Sequence, residues 1–136
     1  MGQIKLLYEG ELCTLFEHPE SGVKFRTNFC KRREEKEKEF SPTDLFASSL
    51  GACVLTIMGA LAEKLGEEFK GAEAIVLKEM SSSSPRRIVR LSVQVTCPFA
   101  FSEEIQKKLE EGAEGCPVHH SLHSDIKVDY QFKWES

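Results

Sequence analysis

Between Met1 and Cys30 apolar and polar positions alternate. Ile4, Leu6 and Tyr8 lie on one side of the pattern, and Glu11 to His18 repeats it more weakly. Val23, Phe25, Thr27 and Phe29 then alternate with Lys24, Arg26 and Asn28. A period of two is the signature of a half-buried strand. Pro19-Glu20-Ser21-Gly22 is a turn sequence, in which Gly22 is free to take a positive φ. These segments predict a small antiparallel meander.

The pattern then changes. Lys31 to Glu39 is a run of charge, read as a solvated loop that leads into a helix. Ser41 is a good N-cap, Pro42 suits the first helical position, and Asp44 in the first turn favours the helix dipole. From there to Gly66, a plausible C′ residue preceded by Lys64, the chain predicts one helix of about 24 residues, roughly 36 Å long. Its middle, Leu45 to Ala62, carries no charge. That length touches the lower limit for a membrane span. Ser48, Ser49, Gly51, Thr56 and Gly59 dilute its hydrophobicity, so the expectation is a core helix buried on most sides, and no membrane.

Two strands follow, Glu73 to Met80 and a second with Val89, Leu91, Val93 and Val95 on one face, joined by the loose loop Ser81 to Arg87. Ser102 caps a second helix whose apolar side is Ile105, Leu109 and Ala113, with Glu103–Lys107 and Glu104–Lys108 as exposed i,i+4 pairs. Ile126, Val128, Tyr130, Phe132 and Trp134 alternate with Lys127, Asp129, Gln131 and Lys133 in a final strand. The expected fold class is α+β, with antiparallel sheets packed on a long central helix. With 136 residues and no repeats or linkers, residues 1–136 read as a single domain.

Charge narrows the partners. The formal charge is −4, and the one basic cluster, Lys31-Arg32-Arg33, is followed at once by Glu34-Glu35. A nucleic-acid or anionic-membrane surface is therefore not expected. Met1 to Lys5 runs into a strand without a long apolar region, so no export signal is read. Five cysteines, Cys13, Cys30, Cys53, Cys97 and Cys116, form no CxxC pair. An odd count without an export signal argues against a disulfide framework and for a reducing, cytoplasmic setting.

Two of these thiols have settings that suggest redox chemistry. Cys53 lies about three turns into the long helix. The bland reading is a small buried hydrophobe. A reactive Cys53 needs something to lower its pKa, and the helix dipole fades within the first turn. An arginine must approach, and those before the helix are Arg26, Arg32 and Arg33. Cys116 precedes Pro117, which makes it an N-cap where unpaired backbone N–H groups stabilise a thiolate. Its bland reading is a weak cap. Cys116, His119 or His120, and His123 could share a helical face as a zinc site, but histidines so close in a small helix are more often solvated. Neither a metal nor a cofactor is called for.

Ser41-Pro42-Thr43-Asp44-Leu45-Phe46-Ala47, with Cys53 inside the helix, resembles the osmotically inducible protein/organic hydroperoxide resistance (OsmC/Ohr) family. So does Gly115-Cys116-Pro117-Val118 followed by Leu122 and Ile126-Lys127-Val128-Asp129-Tyr130. The resemblance covers nearly the whole chain in the order of its elements. It implies an intertwined homodimer with active sites at the interface. By position Cys53 would be peroxidatic, attacking the peroxide O–O bond and becoming a sulfenic acid, and Cys116 would be resolving. The Cys53–Cys116 disulfide would be reduced by an external dithiol, often a lipoylated protein, with Cys13, Cys30 and Cys97 left free. The family's peroxide-orienting arginine maps to Arg33, then Arg32. Its glutamate falls at Thr43, with Asp44 one residue later and about 100° further round the helix. The implied activity is a thiol-dependent reductase of organic hydroperoxides, with an apolar pocket from Leu45, Phe46 and Leu50 favouring an alkyl tail. The rival reading is a non-enzymatic redox sensor or binder of a small apolar ligand on the same fold.

Overall fold

The computed structural model describes residues 2–27 and 40–135. Three strands, β1 (Lys5–Gly10), β2 (Cys13–His18) and β3 (Val23–Arg26), precede the long helix α1 (Pro42–Lys64). Then come β4 (Glu73–Met80), β5 (Ile88–Cys97), α2 (Glu103–Glu114), the short α3 (Pro117–His120) and β6 (Lys127–Trp134). The chain divides into two compact units, Met1–Leu45 and Phe46–Ser136.

The first unit is the expected meander, an antiparallel sheet in the order β1-β2-β3. The β1–β2 hairpin turns on Glu11 and Leu12, both at positive φ (53° and 65°), the geometry of a type I′ turn. Phe16 and Phe25 stack across β2 and β3 with ring centroids 4.7 Å apart. Arg26 holds Glu9 with two N–H···O bonds of 2.8 and 3.2 Å. Cys13, expected to be a free thiol, is 3% exposed and disulfide-bonded.

The second unit holds the core: Leu50, Val54 and Met58 of α1, Leu91, Val93, Val95 and Cys97 of β5, and Leu109 and Ala113 of α2, each 0–1% exposed. Its sheet has the order β4-β5-β6. The alternation read from the sequence is reproduced, with Val128, Tyr130, Phe132 and Trp134 turned towards the core. One pairing departs from the antiparallel expectation. β5 and β6 run parallel, with Leu91 opposite Val128 and Val93 opposite Tyr130. A parallel pair needs a crossover of a dozen or more residues, and Pro98 to Ile126, with α2 and α3 inside it, supplies one.

α1 also differs from expectation in how it is covered. Only Ala47, Leu50, Gly51, Val54, Met58 and Ala62 are buried, one stripe rather than most of the circumference. A single chain covers a single face. α1 has the length and apolarity of a membrane span, and this stripe makes it the core helix of the second unit. Gly51 lets α1 settle onto β4: a Cβ there would lie 2.7 Å from Val76 Cγ2. Trp134 Nε1 donates to Glu110 Oε2 at 3.0 Å and ties the end of β6 to α2.

Candidate active site

Cys53 follows from the helical period. Leu50, Val54 and Met58 point into the core, and Cys53 is turned about 100° from Val54. It therefore sits at the edge of the buried stripe, a half-buried free thiol rather than an enclosed one. A sulfur in that position is packed on one side and open to a small reactant on the other.

Cys116 reaches the same place from the crossover. Pro117 starts α3 and makes Cys116 its N-cap, as the sequence predicts, and Sγ accepts from the backbone N–H of His119 at 3.3 Å. The residue is fully buried, with its thiol free and in hydrogen-bonding reach of Cys53. Burial pushes the Cys116 thiol up, and the neighbouring Cys53 sulfur adds to the rise, against the N–H groups of His119 and Val118. The expected thiolate stabilisation at the N-cap is present but is outweighed by burial. Cys116 is thus held as a thiol, poor at starting an attack and well placed to finish one.

The sequence reading missed a third component. Tyr130 projects from β6 towards the core, and its hydroxyl shares a 2.5 Å hydrogen bond with His119 Nδ1. The two rings also stack, with centroids 5.6 Å apart and planes at 17°. Burial pushes the Tyr130 phenol up, and the nearby Cys116, Glu114 and Cys53 charges push further, so it keeps its proton. A signal existed. Among Ile126, Val128, Tyr130, Phe132 and Trp134, tyrosine brings a hydroxyl to the buried face, and such a group needs a partner.

The remaining candidates are described each by itself. Asp44 Oδ2 accepts from the Ser41 N–H at 3.0 Å, and Ser41 Oγ accepts from the Asp44 N–H at 3.1 Å. That is a reciprocal capping box at the start of α1. Arg32 and Arg33, and Cys30, lie outside the described residues. Leu50, expected to line an apolar pocket, is 0% exposed in the core, whereas Phe46 is 45% exposed. Among the described residues no group of three or more His, Cys, Asp or Glu side chains is placed to hold a metal ion. Cys97 is buried beside Glu110; burial, then that carboxylate, pushes its thiol up to about 11, which makes it inert.

Comparison with known proteins places the chain in a family. The family model described as OsmC-like protein matches residues 35–131. A Psychrobacter arcticus 273-4 structure, described as an osmotic stress induced and detoxification response protein, is 33% identical with a TM-score of 0.87. The match covers 97% of this chain and 96% of that one. The OsmC-like protein of Mycoplasma pneumoniae superposes with a TM-score of 0.83 at 15% identity, over 100% and 98% of the two chains. The organic hydroperoxide resistance protein OhrB of Bacillus subtilis does so with a TM-score of 0.69 at 15% identity, over 98% of each chain. No curated protein matches the sequence. With the family match spanning most of the chain, and two cysteines meeting where the helix and the crossover converge, the chain belongs to the OsmC-like protein family.

Proposed function

We propose that this protein is a cysteine-based peroxidase that reduces organic hydroperoxides. The observation that carries the reading is the meeting of a half-buried Cys53 with a fully buried, protonated Cys116. One sulfur is reachable and the other is shielded until the first has reacted. The detoxification response in the description of the Psychrobacter protein, and the hydroperoxide resistance named for the B. subtilis fold relative, support the substrate class.

In the proposed cycle the Cys53 thiolate attacks the distal oxygen of ROOH. The O–O bond breaks, ROH leaves after taking a proton, and Cys53 becomes a sulfenic acid. The Cys116 sulfur then attacks the Cys53 sulfur and the S–O bond breaks. The hydroxide leaves as water with the Cys116 proton. An external dithiol, such as a lipoylated protein, reduces the disulfide to two thiols and is itself oxidised. The capture matters because a sulfenic acid left alone oxidises further, beyond ready repair. The activating cation is Arg33, with Arg32 next, since a guanidinium stays charged at any working pH and can hold thiolate and peroxide oxygen together.

The working form in this proposal is a cytoplasmic homodimer. The apolar surface of one chain supports it: Ile4, Leu6, Leu7, Phe46, Ile75 and Leu77 are each 45–71% exposed.

The test is consumption of cumene hydroperoxide with dihydrolipoamide. Wild type should turn over many times, Cys53→Ser should not react, and Cys116→Ser should stop after one sulfenylation. Arg33→Ala should slow the first step at least tenfold, about 1.4 kcal/mol in the barrier. A wild type that oxidises once and does not cycle would replace the enzyme with a redox sensor.

A further inference from the structure

We infer that Tyr130 and His119 act together as the positioning pair for the resolving thiol, setting how fast Cys116 captures the Cys53 sulfenic acid. The inference rests on the peroxidase reading above and assigns roles to two residues outside the cysteine pair.

The argument starts from what holds Cys116. It lies between α2 and a helix of only four residues, Pro117–His120, none of which is fully buried. So short a helix has little rigidity of its own. Its sulfur is nevertheless engaged by backbone N–H groups, with that of His119 at 3.3 Å and ahead of that of Val118 in its effect. Whatever fixes His119 therefore fixes a donor that points at the sulfur. Tyr130 does this twice, by the hydroxyl bond to Nδ1 and by the ring stack.

Tyr130 is itself firmly anchored. It pairs in register with Val93 of the central strand, which is 1% exposed, and it stacks on Phe132 with centroids 6.0 Å apart. The chain of contacts runs from a buried strand through Tyr130 and the His119 ring to the N–H that meets Cys116 Sγ. A site group held from a sheet is placed more accurately than one held by a loop. The protonated phenol also suits a hydrogen bond to an imidazole nitrogen better than a phenolate would beside two sulfurs that become negative in turn.

The consequence is specific to one step. Sulfenylation of Cys53 does not involve the Cys116 sulfur. Condensation, in which the S–S bond forms, the S–O bond breaks and hydroxide leaves as water with the Cys116 proton, needs Cys116 aligned behind the S–O bond. Loss of alignment of about an ångström is enough to slow such a step strongly.

The experiment follows the two steps separately after one equivalent of cumene hydroperoxide, with stopped-flow thiol loss for the first and mass-resolved dimedone trapping for the sulfenate lifetime. Tyr130→Phe and His119→Leu should each lengthen the sulfenate lifetime at least tenfold and leave the first step within about twofold. His119→Asn, whose amide nitrogen and oxygen lie near the Nδ1 position, should recover most of the lost rate when Tyr130 is present and none in the Tyr130→Phe background. Equal lifetimes in wild type, Tyr130→Phe and His119→Leu would overturn the pairing. So would a loss that His119→Asn does not recover. A wild type that forms neither sulfenate nor Cys53–Cys116 disulfide would instead overturn the peroxidase reading itself.

Discussion

Replacing Gly51 with alanine tests how α1 is seated, and it does so with an internal control in the same helix. The added Cβ would lie 2.7 Å from Val76 Cγ2 and 3.8 Å from Ala74 Cβ. Carbon atoms are comfortable at about 3.5–4.0 Å, so roughly an ångström must be found. Val76 cannot supply it cheaply, because a β-branched side chain on a strand has a stiff χ1. α1 cannot lift away either, since Leu50 and Val54 flank the position and are fully buried. Overpacking of this kind costs about 1–3 kcal/mol. Alanine's better helix propensity returns about 1 kcal/mol. The net expectation is a loss of up to about 2 kcal/mol. Gly59 is the control: a Cβ there meets only Phe69 Cδ2 at 3.7 Å, an ordinary contact. Gly59→Ala should therefore gain about 0.5–1 kcal/mol. Urea unfolding at one protein concentration, with the slope unchanged, should move the two midpoints in opposite directions. Val76→Ala placed with Gly51→Ala should remove the clash, which appears as favourable coupling in a double-mutant cycle. If Gly51→Ala proves as stable as Gly59→Ala, the close seating of α1 on β4 is wrong.

Trp134→Phe should cost about 1–2 kcal/mol, because it strands part of the Glu110 carboxylate that now accepts the indole N–H; chemical unfolding measures it. Cys97 gives a pH dependence. Its folded value of about 11 lies above its ordinary 9.0, so the unfolded chain loses that proton first and stability falls as pH rises from about 9 to about 11. Cys97→Val should flatten the decline, read from urea midpoints across that window. A stable homodimer burying more than about 2,000 Å² is expected, and light scattering that shows a monomer at micromolar concentration would refute it.

Much of this molecule is legible in the order of its residues. Ser41, Pro42 and Lys64 mark α1, and β5 and β6 follow from alternation, because local signals set these elements. Cys116 as an N-cap follows from Pro117 alone. What escaped depends on contacts between distant segments. The parallel β5–β6 pair is set by where the crossover lands, not by any feature of β6 itself. The single buried stripe of α1 reflects how much surface one chain has to offer, which the helix's own apolar count does not reveal. The Tyr130–His119 bond joins residues whose motifs look unrelated, one in a strand and one in a Pro-started turn of helix. Asp44 is the opposite case: a helix-start acid by its position, it forms the capping box that such a position favours.

The crossover between β5 and β6 also has a consequence for when the Cys53–Cys116 pair comes together. β4 and β5 are joined by the short loop Ser81 to Arg87 and can zip together early. β6 pairs with β5 only after Pro98 to Ile126 has closed on itself, and such non-local pairings form slowly. Cys116 and His119 travel within that closing segment, and Tyr130 arrives with the strand that completes it. A newly made chain therefore carries two separated, ordinary thiols until its slowest contact is in place. If the proposed cycle holds, competence for it is acquired only at the end of folding.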